Sequence, residues 1–132
     1  MQLREYFENV KGVGVLSTAD AEGHVDSAIY ARPHVMDDGS LAVIMRDRLS
    51  HHNLQSNPRA AYLFLESGSG YTGKRFFLKK IKEEQDMERI NQLRRRCYAE
   101  EDKLNQEAVF LVYFEIEKEL PLIGPGPAGA SS

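Results

Sequence analysis

The sequence predicts one ordered domain of mostly β (α+β) character, an antiparallel sheet or small barrel with short flanking helices. Three observations carry this. Six segments show strand-like apolar patterning, most follow one another across short turn signals, and only three short segments carry helical periodicity. With 132 residues, 42% hydrophobic and 28% charged, the chain has ordinary globular composition. It can bury about two thirds of its unfolded surface without disulfides or a structural metal. The domain is expected over residues 1–120, followed by a Pro/Gly-rich, partly flexible tail over 121–132.

Leu3, Tyr6, Phe7 and Val10 fall at helical spacing, so residues 2–10 read as a short amphipathic helix, ended by Gly12 and Gly14. VGVLST at 13–18 and residues 25–32 form a hairpin pair around the Asp20 to Gly23 turn residues. Pro33 has no N–H for a central ladder, so the second strand should reach an edge or bend there. The Asp38-Gly39 turn then introduces LAVIMR at 41–46. Residues 50–57 read as a short helix with Ser50 as N-cap, stopped by Pro58. Strand 59–66 places Tyr62 and Phe64 opposite Leu63 and Leu65, and KRFFLKKI at 74–81 makes a fifth strand. A charged helix over 83–98 has Met87, Ile90, Leu93 and Cys97 on one side, and a last strand at 108–117 is apolar on both faces. The small barrel interior takes only one face of each strand, so strands 59–66 and 108–117 predict a second subunit as cover.

The formal charge of −3 gives no support to a nucleic-acid partner. The lone Cys97 forms no internal disulfide, no apolar run is long enough to span a membrane, and the N-terminus has no apolar signal core. These point to a cytoplasmic protein. The segment from Gly68 to Gly73 spells GxGxxG but runs into a strand, not a helix, and therefore reads as a hairpin loop. His24, His34, His51 and His52 have no zinc-site spacing, and no nucleophile is readable from residue order. Nine basic residues against four acids between Lys74 and Arg96 read as a solvated charged face. The stretch LAVIMRDRLSHHNLQSNPRAAYLF is more informative. A strand ending in Arg46 and Arg48 and a helix opening at Ser50 beside imidazoles suit an anion, and suit an ordinary capped surface loop equally well.

The succession VGVLSTADAEGHVDSAIY, MDDGSLAVIMR, LSHHNLQSNPRAAYLFLE and YTGKRFFLKKI resembles the pyridoxamine 5'-phosphate oxidase-like family of FMN-binding split barrels, over residues 3–119. Its most specific piece is Asn53-Leu54-x-x-Asn57-Pro58-Arg59 running into an apolar strand. The resemblance implies a six-stranded antiparallel split β-barrel, a homodimer, and FMN at the dimer interface. It places Tyr30, Ala31, Arg32, Ile44, Met45 and Arg46 along the flavin, and Arg48, Ser50, His51 and Asn53 at the phosphate. The family's Lys or Arg before this helix is missing, its place taken by Ser50 or His51, so Arg46 or Arg48 must supply the charge. No Trp is available to a flavin ring, and no substrate-binding C-terminal segment of true pyridoxamine phosphate oxidases is recognisable. The implied function is an FMN-dependent oxidoreductase of unspecified substrate and electron donor. A non-catalytic carrier of FMN, haem or another planar cofactor is the alternative, with His34, His51 or His52 as axial ligand, and a cofactor-free dimeric domain is a third.

Overall fold

Apolar alternation along the strands builds, among the described residues, a seven-stranded antiparallel sheet that curls around its own inner face. The computed structural model describes residues 2–68, 70–94 and 108–124. In chain order the elements are α1 (Leu3–Asn9), β1 (Gly12–Ala19), β2 (Val25–Tyr30), β3 (His34–Val35), β4 (Leu41–Arg46), α2 (Leu49–Ser56), β5 (Arg59–Glu66), β6 (Gly73–Glu84), α3 (Met87–Leu93) and β7 (Val109–Pro121). The sheet order is β2-β1-β5-β6-β7-β4-β3. β1–β2, β3–β4 and β5–β6 are local hairpins, whereas β1–β5 and β4–β7 join distant segments. Thirteen-residue β7 pairs with both β6 and β4, with register shifts against β6 that bend the sheet.

The inner face holds the main core, including Leu16, Val43, Met45, Tyr62, Phe64, Phe76, Leu78, Val112 and Phe114. α1 closes one end as its apolar stripe predicts: Phe7 is fully buried and meets Phe64 edge-on at 5.6 Å. Leu54 of α2 joins the same core. β2 is an edge strand that ends at Tyr30, in line with the Pro33 expectation. Gly39 takes φ +89° in the turn before β4, where its N–H donates to the Met36 carbonyl.

Several details differ from the sequence expectation. A seventh strand exists because His34 and Val35 pair with Ala42 and Leu41 across the Asp38-Gly39 turn. α1 ends at Asn9, and Gly12 and Gly14 lie inside β1. A Cβ on Gly14 would overlap the Tyr62 hydroxyl, so this glycine serves close packing and not helix termination. β6 continues to Glu84 because Glu83 and Glu84 pair with Val112 and Leu111. α3 therefore starts only at Met87, capped by the Asp86 carboxylate that accepts from the Arg89 N–H at 3.1 Å. Arg95, Arg96 and Cys97 of the expected helix, and residues 125–132 of the expected tail, lie outside the described residues.

The two strands expected to need an external cover separate. The outer face of β7 is covered within the chain, where Val109, Leu111 and Tyr113 pack with Ile90 of α3. The outer face of β5 is open, with Leu63 38% exposed.

Candidate functional site

The candidate site forms where β4 leaves the sheet through Asp47 and Arg48 and enters α2. The helix begins one residue earlier than expected. Arg48 is its cap, in extended conformation (φ −128°, ψ −167°) and without a side-chain cap hydrogen bond, while Ser50 lies buried in the first turn. The first intrahelical bond runs from His52 N–H to the Arg48 carbonyl at 2.9 Å. The N–H groups of Leu49, Ser50 and His51 have no carbonyl one turn back.

Freed from capping, the Ser50 hydroxyl meets the phenol of Tyr30 from the end of β2. Burial raises the Tyr30 pKa above its ordinary value, and Asp26 adds to that; the Ser50 hydrogen bond and the nearby Arg48 charge offset part of it. Tyr30, Arg48 and Ser50 are therefore brought together. Arg46 ends β4 opposite Val109, half-buried, with its Nη1 wholly enclosed.

The remaining residues singled out from sequence take other positions. Met45 points into the main core at 1% exposure, and Ile44, on the opposite face of β4, packs with the Ile90 cluster. Arg32 turns toward the end of α1, donating to the Val10 carbonyl at 3.1 Å. Ala31 contributes its carbonyl, which accepts from the Tyr62 hydroxyl at 3.2 Å; the same hydroxyl lies 3.3 Å from the Tyr30 carbonyl. Asn53 is buried and donates to the Thr18 hydroxyl at 3.1 Å, tying α2 to β1.

His51 is buried beneath α2. Its Nδ1 lies 2.9 Å from Asp47 Oδ1 and its Nε2 2.8 Å from Glu83 Oε2, while the ring stacks on Phe110 at 3.9 Å and 17°. Gln55 donates to Glu83 Oε1 at 3.0 Å, and Lys80 forms an ion pair with the same carboxylate. Burial alone would raise the Glu83 pKa, but the hydrogen bonds from Lys80, Gln55 and His51 overcome it and bring it down to about 2. With both ring nitrogens engaged by carboxylates, His51 has no nitrogen directed to an axial metal bond. His52 is solvent-exposed. Among the described residues no group of His, Cys, Asp and Glu is arranged to hold a metal ion.

Asp47, Gln55, Lys80, Glu83 and Tyr62 were not visible as site residues in the sequence. Asp47 and Gln55 carried a signal, since each stands four residues from His51 around the first turns of α2. Glu83, on β6, carried none. An open cleft of about 660 Å³ lies elsewhere, between the β3–β4 turn, the end of β6 and α3. Its Tyr113 hydroxyl donates to Glu84 at 2.6 Å and accepts from Arg89 at 3.0 Å, so these polar groups serve one another.

The donor set at the start of α2 fits the terminal phosphate of FMN. The Arg48 guanidinium, the Ser50 hydroxyl and the first-turn amides, with the Tyr30 phenol beside them, supply charge and hydrogen bonds of the kind a phosphate dianion requires.

A curled antiparallel sheet split at the β2 and β3 edges, with three short helices among the described residues, is the fold of a split β-barrel, the fold shared by FMN-binding and pyridoxamine 5'-phosphate oxidase-like proteins. The chain is similar in structure to an FMN-binding protein from Syntrophomonas wolfei subsp. wolfei, at 20% identity over 92% of this chain and 84% of that one, with a TM-score of 0.72. It is also similar to General Stress Protein 26 from Bacillus anthracis str. Sterne (16% identity, 92% and 94% covered, TM-score 0.62). The styrene monooxygenase flavin reductase from Pseudomonas putida S12 matches at 11% identity, 88% and 84% coverage and a TM-score of 0.55. These likenesses are of fold. No protein-family model and no curated relative matches the sequence. Among the described residues, no helix is long and apolar enough to cross a membrane.

Proposed function

We propose that this protein is an FMN-binding flavoprotein that acts as an oxidoreductase. The observation that carries the reading is the meeting of Tyr30, Arg48 and Ser50 at the first turn of α2, on a fold shared with an FMN-binding protein. Bound FMN would supply the hydride or electron transfer. The chain's own part is binding and orientation. Arg46, Arg48, Ser50 and the first-turn amides hold the phosphate, and Tyr30 with the adjoining ends of β2 and β4 borders the rest of the cofactor. The place of the Lys or Arg usual in the family that the sequence resembles is taken here by Ser50 or His51, so the arginines carry the compensating charge.

The active form is a homodimer. Val15 of β1 stands level with Ile29 of β2 and Leu63 of β5 on the outer face of the sheet, and Val13 and Phe77 enlarge the patch. Ile29 is 72% exposed and Val13 48%. A contiguous apolar face of this kind on a four-strand half-sheet requires a cover, and a second copy offers the matching surface by symmetry.

The test compares FMN with riboflavin, which lacks the phosphate, by flavin fluorescence quenching in Arg46→Met and Arg48→Met. Truncating one side of a charge pair in a desolvated site costs on the order of 2 kcal/mol or more, roughly 30-fold in affinity. At least one variant should lose FMN affinity on this scale and keep riboflavin affinity. Normal FMN binding by both variants would refute the assignment. An absorbance spectrum of the purified protein, with mass identification of the released cofactor, separates flavin from haem and from no cofactor.

A further inference from the structure

We infer that His51 is the positioning residue of the anion site at α2, a tether that aims Ser50 and Arg48 without itself touching the ligand. The inference rests on the phosphate reading above and assigns the role to a side chain on the helix's inner side. Three elements meet at this imidazole. Asp47 reaches it from the β4–α2 link, Glu83 from β6, and Phe110 stacks against it from β7. The Asp47 N–H also donates to the Ala108 carbonyl at 3.3 Å, so the link is held to the start of β7 by backbone as well.

α2 is only eight residues long and its cap residue makes no side-chain cap bond, so little within the helix itself fixes its first turn. The fixing comes from outside. Asn53 ties the middle of the helix to Thr18 of β1. His51 ties the first turn to β6, and Asp47 ties the link to His51. Ser50 immediately precedes the imidazole and Arg48 stands three residues before it, so releasing the ring frees the groups that face Tyr30. The carboxylates around it have the wrong charge to contact a phosphate. Their service is to hold the ring, and Lys80 and Gln55 in turn hold Glu83.

The experiment uses the full chain and measures FMN and riboflavin affinity in parallel, with urea unfolding as the stability control. His51→Phe keeps a ring against Phe110 and removes both hydrogen bonds; FMN affinity should fall at least about tenfold, the scale of one lost bond to a charged group, with riboflavin affinity within about twofold. Asp47→Ala provides an arm that does not depend on the buried ring being replaceable, because the Asp47 side chain is 60% exposed. If charge alone governed binding, removing this carboxylate would strengthen FMN binding. The tether requires the reverse, a loss of about threefold or more, with Asp47→Asn, which keeps an acceptor for Nδ1, near wild type. Unchanged or tighter FMN binding in Asp47→Ala overturns the inference, as does equal loss of FMN and riboflavin in a folded His51→Phe. If the wild-type protein binds FMN no better than riboflavin, the phosphate reading itself has failed.

Discussion

Gly14 and Tyr62 form a matched pair whose disturbance should be measurable both in stability and at the candidate site. A methyl group on Gly14 would overlap the Tyr62 hydroxyl and ring and come within 2.8 Å of the Tyr30 carbonyl. Tyr62 is 1% exposed between β1 and β6, so its ring has no room to retreat. Overpacking of this kind costs about 1 to 3 kcal/mol, so Gly14→Ala should lower stability by that amount. Tyr62→Phe removes a hydroxyl whose bonds to the Tyr30 and Ala31 carbonyls are long, a loss of about 0.5 to 1.5 kcal/mol. In the double variant the new methyl group takes part of the vacated space. The combined loss should fall short of the sum of the single losses by at least about 0.5 kcal/mol. Urea unfolding of the four proteins with a common m-value gives the cycle, and thermal melts should shift by roughly 3 to 6 °C per kcal/mol for a chain of this size. Wild-type stability in Gly14→Ala, or strict additivity, would refute the packing argument. Because the Tyr62 hydroxyl holds the carbonyls at the end of β2, Gly14→Ala should also weaken flavin binding, for riboflavin as much as for FMN.

Two further outcomes are expected. Glu83 is depressed from 4.5 to about 2 in the folded protein, so its contribution is fully present above about pH 4.5 and is lost as the pH falls toward 2; at ~1.4 kcal/mol per pKa unit this is on the order of 3 kcal/mol. Stability measured by urea titration between pH 6 and 2 should therefore fall less steeply in Glu83→Gln than in wild type, and parallel curves would show that Glu83 carries no such linkage. Leu63→Lys places a charge at the centre of the outer apolar face and should convert the dimer to monomer in sedimentation at micromolar concentration with the fold intact by circular dichroism; a wild-type monomer at that concentration would remove the dimer proposal.

The resemblance read from the order of strands, the Asn53–Arg59 stretch and the apolar strand after it led to the correct fold type. The candidate site was legible only in part. Arg48 and Ser50 could be named because an anion site at a helix start depends on residues adjacent in sequence, and Tyr30 because the family resemblance placed it. Their grouping depends on β2 lying beside α2, which no local pattern encodes. The sequence marks Ser50 as a cap because Ser is a common N-cap. In the folded chain the helix starts at Leu49 and Ser50 is buried, next to Tyr30.

What the sequence by itself determined are features set by interactions a few residues apart. The Asp38-Gly39 turn needs one glycine at positive φ, α1 needs four apolar residues at helical spacing, and β4 and β5 begin and end at the residues their alternation marks. Tertiary structure decided everything that rests on strand partners far along the chain. Pairing with β7 carried β6 on to Glu84, delayed α3 to Met87, and brought Glu83 under α2 to meet a histidine thirty-two residues before it. It also decided which apolar faces are covered, closing that of β7 with Ile90 while leaving Leu63 of β5 outside. Side-chain alternation records that a residue can be buried, but the identity of the surface that buries it depends on sheet order, and sheet order is fixed by the free energy of the whole fold and not by any local run of residues.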